Sequence, residues 1–327
     1  MISVIVPIYN AVEDVKLCVA SLEAYFDWAQ GEVLLIDDGS GEETKKYLHT
    51  LAQRCPQFKV LFNQENLGFV KTCNRGMKLA SGEIVVLLNS DTMIPANFTK
   101  SITSFFANHP TVGIASPISS CSISSVAARQ GIQADDLVAL NQWLHRQHVP
   151  TYPLMPAAEG FCFCVRAEVL AEIGELDEIY GKGYHEERDF SYRAVQSGWQ
   201  VALIDDMCVY HKRHASFGEA QRKVQIEKNN PTFIERWGGF EYGWMAERNW
   251  SNPIDNICQD LLTPVYKQKI KKWLVAIYRC MSPSCRQRQD MMKLARQSYL
   301  RQQQIIGLLQ AAQYRQERIM TAQLGQG

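Results

Sequence analysis

Five short clusters hold side chains with chemistry to offer; four close or follow an apolar run, and the fifth stands directly before a probable helix. Asn89-Ser90-Asp91-Thr92 trails the run Ile84 to Leu88. A carboxylate leaving a buried strand is placed to hold a divalent cation, Mg²⁺ or Mn²⁺, against a diphosphate. In His185-Glu186-Glu187-Arg188-Asp189, Asp189 and Arg193 have the spacing of an i,i+4 ion pair. That pairing leaves Glu187 and Glu186, either of which could take the proton from an attacking hydroxyl. Val209-Tyr210-His211 ends a strand-like run, and a neutral imidazole there suits a cation shared with Asp91. Asp37-Asp38-Gly39-Ser40 closes Val33 to Ile36; a carboxylate here, Asp37 by preference, can accept the imide N–H of uracil or thymine. Pro7-Ile8-Tyr9-Asn10 ends the first run, and Tyr9 offers a ring face on which a base could stack.

The elements that must position these clusters alternate. Apolar runs at Ile2 to Val6, Val33 to Ile36, Lys59 to Phe62, Ile84 to Leu88 and Val112 to Ala115 are separated by helix-like stretches. Such β-α-β alternation predicts an α/β fold, a mostly parallel Rossmann-like sheet with helices on both faces. Sites on such sheets lie at the carboxyl ends of the strands. Ser40-Gly41-Glu42-Glu43 reads as a capping box opening the second helix. Residues 119–158 break the rhythm and read as an acceptor-side insertion, with Leu137, Leu140, Trp143 and Leu144 at helical spacing. The sequence thus divides into a catalytic domain over 1–230 and a helical extension over 231–327.

The chain has 327 residues with equal numbers of basic and acidic side chains, which gives no whole-protein attraction to nucleic acid. No apolar stretch is long enough to cross a bilayer, and the first apolar run lacks the basic lead of a signal peptide. The ten cysteines are scattered and many lie in apolar runs, as Cys18, Cys73, Cys162, Cys164 and Cys208 do, which suits reduced core thiols of a cytoplasmic protein. The extension is locally basic, with Lys267, Lys269, Lys271 and Lys272 beside a stripe of Ile270, Trp273, Leu274 and Ile277. That stripe suits a helix packed on the domain or on a second subunit, a homo-oligomer; the competing reading is peripheral docking at the inner face of the membrane.

Taken in order, these motifs resemble family 2 glycosyltransferases of the GT-A, or nucleotide-diphospho-sugar transferase, fold. The matching set also includes Asn66-Leu67-Gly68, Asn74-x-Gly76, Ser81-Gly82-Glu83, Gly160-Phe161 and Gly174-x-x-Asp177, and it covers residues 1 to about 217. The resemblance implies inversion at the anomeric carbon, a Mn or Mg cation, and a UDP- or dTDP-sugar donor. It implies donor contacts from Pro7, Tyr9, Asn10, Asp37, Asp38, Gly68, Asn74 and Ser90. It implies metal contacts from Asp91 and His211, with His214 as the fallback. Asn89 replaces the first acid of the family's Asp-x-Asp element, as in rhamnosyl- and galactofuranosyltransferase-like members. The family's base falls on Glu187, with Glu186 in reserve, and the acceptor would be a hydroxyl of a glycan, a lipid-linked glycan or a protein. A sugar-phosphate nucleotidyltransferase should carry a Gly-rich, Arg-containing loop after the first strand, and none is present. A non-catalytic sugar-nucleotide-binding or scaffold subunit would not need Asp91, Glu187 and His211 together.

Overall fold

The computed structural model describes residues 1–121, 141–142, 144, 148–212, 219–248 and 250–254, and Met1–Leu262 form one compact unit. Most of the expected insertion, His214 and the basic extension from residue 255 onward lie outside the described residues.

The alternation read from the sequence is present: β1 (Ile2–Ile8), α1 (Val12–Tyr25), β2 (Gly31–Asp37), α2 (Glu42–Arg54), β3 (Phe58–Phe62), α3 (Phe69–Leu79) and β4 (Ile84–Leu88) follow one another. Then come β5 (Thr92–Met93), α4 (Phe98–Asn108), β6 (Val112–Ser119), β7 (Cys162–Arg166) and α5 (Ala167–Ile173). A 3₁₀ turn (Glu178–Tyr180), α6 (Glu186–Gln196), β8 (Gln200–His211), α7 (Glu219–Trp237) and α8 (Phe240–Glu247) complete the described chain. α7 runs across the expected domain boundary at residue 230 and contains Pro231.

The strands form one sheet in the order β3-β2-β1-β4-β7-β6-β8-β5. β1 is buried along its whole length because helices cover both faces, the pattern of an internal parallel strand. Val4, Val6 and Ile8 share a core cluster with Val15, Val19 and Leu22 of α1. On the opposite face Ile5 meets α3 at Gly76, where a Cβ would stand 2.4 Å from Ile5 Cγ2. Cys18, Cys73, Cys162, Cys164 and Cys208 are buried free thiols. Burial pushes the Cys18 thiol up to about 12, the state of an unreactive core cysteine.

Two strands depart from the parallel expectation. β7 runs antiparallel to both β4 and β6, and β5 runs antiparallel to β8. β7 begins where β4 ends, with Leu88 opposite Cys162, so Gly160-Phe161 arrives at the same rim as the residues leaving β1, β2 and β4. β8 extends from Gln200 to His211, so the Val201 to Ile204 run and the Val209-Tyr210-His211 run are one strand. The end of the insertion lies along that strand: Leu154 bridges Ala202, and Leu203 N–H donates to the Pro153 carbonyl at 2.9 Å.

Candidate active site

A cleft of about 480 Å³ opens at this rim, within the range of small-molecule sites. Pro7 and Tyr9 from the end of β1, Asp38 after β2, Gly68 before α3 and Ser90-Asp91 after β4 line it. Gly160-Phe161, Glu186, Glu187 and His211 line it from the other half of the sheet.

Asp91 and His211 meet because β5 pairs with β8. Thr92 lies opposite His211, and Lys212 N–H donates to the Asp91 carbonyl at 3.0 Å. His211 Nε2 stands 3.4 Å from Asp91 Oδ1, and the ring stacks on Phe161 at 5.1 Å between centroids. This carboxylate–imidazole pair fits an ion that keeps positions for phosphate oxygens and water. Among the described residues no group of three or more His, Cys, Asp or Glu side chains is placed to hold a metal ion by itself.

Glu186 and Glu187 open α6, as expected. Their approach is strained, since His185 at the N-cap has φ 80° and Tyr184 before it φ 73°. Glu186 is 6% exposed, and its Oε2 has no hydrogen-bond partner. Burial, then the neighbouring Glu187, pushes the Glu186 carboxyl well above the usual carboxylate range. Burial raises Glu187 as well, with Arg188 working the other way. Gly160 lies against this side chain: a Cβ there would be in ordinary contact, 3.4 Å from Glu187 Cγ. Two adjacent, desolvated acids are costly to ionise together, the setting in which a carboxyl can exchange a proton with a bound molecule.

The donor side differs in detail from the sequence reading. Asp38 lines the cleft and Asp37 does not. Asp37 is fully buried; its Oδ2 accepts from Ser40 N–H at 3.2 Å, and its Oδ1 has no partner. Asp38 Oδ1 accepts from Asn63 Nδ2 and Leu67 N–H at 2.8 Å each, and Oδ2 from Gly68 N–H at 2.9 Å. Asn10 is drawn away from the cleft, its Oδ1 accepting from Gly41 N–H at 2.8 Å. Ser40 does not cap α2, because its Oγ accepts from Asn10 N–H at 2.8 Å and Gly41 takes the N-cap position. Asn74 is 3% exposed and exchanges two hydrogen bonds with the Leu176 backbone, at 2.9 and 3.1 Å. These amides satisfy backbone groups, the commonest use of a buried Asn.

Lys182, Tyr184, Glu159 and Arg222 also line the cleft and were not among the residues singled out from sequence. Gly181-Lys182-Gly183-Tyr184 carried a signal in its paired glycines, the mark of a tight turn. Arg222 carried none, since only tertiary packing brings α7 to the rim.

The sheet order, the reversed β7 and the acid-lined rim define a GT-A-type fold. The chain belongs to glycosyl transferase family 2: the family's sequence model matches residues 3–174. It is 33% identical over 90 residues to the uncharacterized glycosyltransferase YibD of Escherichia coli, a match covering 28% of this chain and 26% of that protein. It is 29% identical over 91 residues to glycosyltransferase AglE of Haloferax volcanii, covering 28% of this chain and 30% of that one. The matches thus span under a third of either relative's length. Among solved structures, the mannosyltransferase PcManGT of Pyrobaculum calidifontis, in complex with GDP-Man and Mn²⁺, shares the fold at a TM-score of 0.52 and 18% identity, covering 91% of this chain and 79% of that one. Among the described residues no helix is long and apolar enough to cross a membrane.

Proposed function

We propose that this protein transfers a glycosyl group, with inversion, from a UDP- or dTDP-sugar to a hydroxyl of a glycan, a lipid-linked glycan or a protein. The observation that carries the reading is the convergence of Asp91, His211, Glu186 and Glu187 on one cleft with Tyr9 and Asp38. Asp91 and His211 would hold a divalent cation, Mn²⁺ or Mg²⁺, which when bound offsets the charge of the departing diphosphate. Tyr9 stacks on the base. Asp38 replaces Asp37 as the acceptor for the base imide N–H, because Oδ2 already takes one donor and a carboxylate oxygen has room for two. Glu187 is the base: it is less buried than Glu186 and sits against Gly160, where an acceptor hydroxyl can reach it. Glu186, the more strongly raised of the two, is the costlier to ionise, which leaves the base role to Glu187.

The test is release of nucleoside diphosphate by the full chain with Mn²⁺ across a panel of sugar nucleotides and acceptors. Glu187→Gln should lower turnover about 10²–10⁴-fold, the usual worth of a positioned base, and leave donor affinity intact. Asp91→Ala should weaken donor binding only when Mn²⁺ is present. Equal donor affinity in wild type and Asp91→Ala would remove the cation assignment.

A further inference from the structure

Helix α7 lies beyond the family match, which ends at residue 174, yet it grips the turn that delivers the acids to the cleft. That turn is strained: Gly181, Gly183, Tyr184 and His185 have φ of 58°, 114°, 73° and 80°. Two consecutive residues bearing a Cβ in the left-handed region persist only where their surroundings hold them. Asn229 supplies that hold. It is 4% exposed, and its Nδ2 shares its two hydrogens among the carbonyls of Tyr180 at 3.0 Å, Gly183 at 2.9 Å and Tyr184 at 3.0 Å. The next residue works in the opposite sense, with Asn230 Oδ1 2.8 Å from His185 Nε2. The His185 ring also stacks on Phe233, with 4.4 Å between centroids. Residues 229, 230 and 233 fall on one side of α7 by the i,i+3 and i,i+4 rule.

We propose that Asn229 and Asn230 are positioning residues: together they fix Gly181–His185 and so set Glu186 and Tyr184 in the cleft. The activity arm of this inference rests on the proposed transfer reaction, but the clamp itself does not. Asn229 acts only as a donor towards three carbonyls, so an Asp there would meet oxygen with oxygen. Asn230 acts as an acceptor from the imidazole, so an Asp there keeps the contact.

The experiment compares full-length wild type with Asn229→Asp, Asn230→Ala and Asn230→Asp. It reads kcat and donor KM together with amide hydrogen exchange over Gly183–Glu187. In Asn229→Asp, kcat should fall tenfold or more while donor KM moves less than threefold, and exchange in that segment should speed up at least tenfold. Asn230→Ala should show a milder version, and Asn230→Asp should regain most of what Asn230→Ala loses. A folded Asn229→Asp with wild-type exchange and kcat overturns the proposal. If Asn229→Asp has no cooperative melt, the Asn230 pair decides, and identical behaviour of Asn230→Ala and Asn230→Asp overturns it. If wild type transfers no sugar at all, the transfer reading fails and exchange alone judges the clamp.

Discussion

At the amino ends of the parallel strands, Glu32 is surrounded by donors. Its Oε1 accepts from Ser3 Oγ at 2.6 Å, Ser81 N–H at 2.8 Å and Ser81 Oγ at 2.6 Å, and its Oε2 pairs with Lys59. Burial alone would raise its pKa, but these donors hold the carboxyl down at about 2. At the carboxyl ends of the same strands, Glu186 is more deeply buried, one of its oxygens has no partner, and its carboxyl lies well above the usual range. One sheet thus treats a carboxylate in two opposite ways. The satisfied carboxylate ties strands together, while the other leaves one oxygen without a protein partner beside the cleft.

If this division is right, substitutions at the rim should move rates and those at the opposite end should move stability. Alongside Glu187→Gln, the largest effect should come from Asp91→Ala, with transfer down on the order of a thousandfold and a melting point close to wild type. A large fall in melting point with modest loss of rate would erase the contrast. Next, Glu32→Ala should cost about 2–3 kcal/mol in urea unfolding, because it strands several donors at once, and should leave kcat untouched.

The pH responses should have opposite signs. Glu32 has a depressed folded pKa, so its contribution is present above the ordinary carboxylate pKa and is lost as pH falls towards about 2. Glu32→Gln should flatten that acid limb. Glu186 has a raised folded pKa, so the native state binds more protons than the unfolded one, and stability declines as pH rises from the ordinary carboxylate value towards the folded one. Glu186→Gln should therefore stabilise the protein at neutral pH and remove that slope, read by melting points across pH. A destabilised Glu186→Gln would mean that the carboxylate is satisfied after all. The smallest effect should come from Gly160→Ala. Its new methyl would sit 3.4 Å from Glu187 Cγ, so stability should stay within about 0.5 kcal/mol while kcat drops a few-fold.

The sequence revealed most where a periodic run ended in a polar cluster. Asp91, Glu186, Glu187 and His211 each follow or open a regular element, and all four reach one cleft. It revealed less where one residue of offset mattered. Asp37 and Asp38 are adjacent, and successive side chains of a strand point to opposite sides, so composition alone could not say which would face the cleft. The direction of β7 was hidden too, because a fully buried strand reads the same either way along. Asn10 and Asn74 look like ligand-binding amides until their backbone partners are seen. The contribution of α7 was hidden for a similar reason, as its grip on Tyr180, Gly183 and Tyr184 uses polar contacts to backbone and leaves no apolar periodicity.

The two-residue ladder between β5 and β8 also bears on biosynthesis. Asp91 emerges from the ribosome early, whereas His211 must wait until β6, β7 and α6 have been made. A nascent chain stopped at the end of the family match could collapse around β1 to β4 and still lack half of the carboxylate–imidazole pair. Closing so distant a contact is slow, because the intervening chain loses its freedom before the ladder rewards it. The proposed cation site would then be completed only after the core around β1 to β4 has formed.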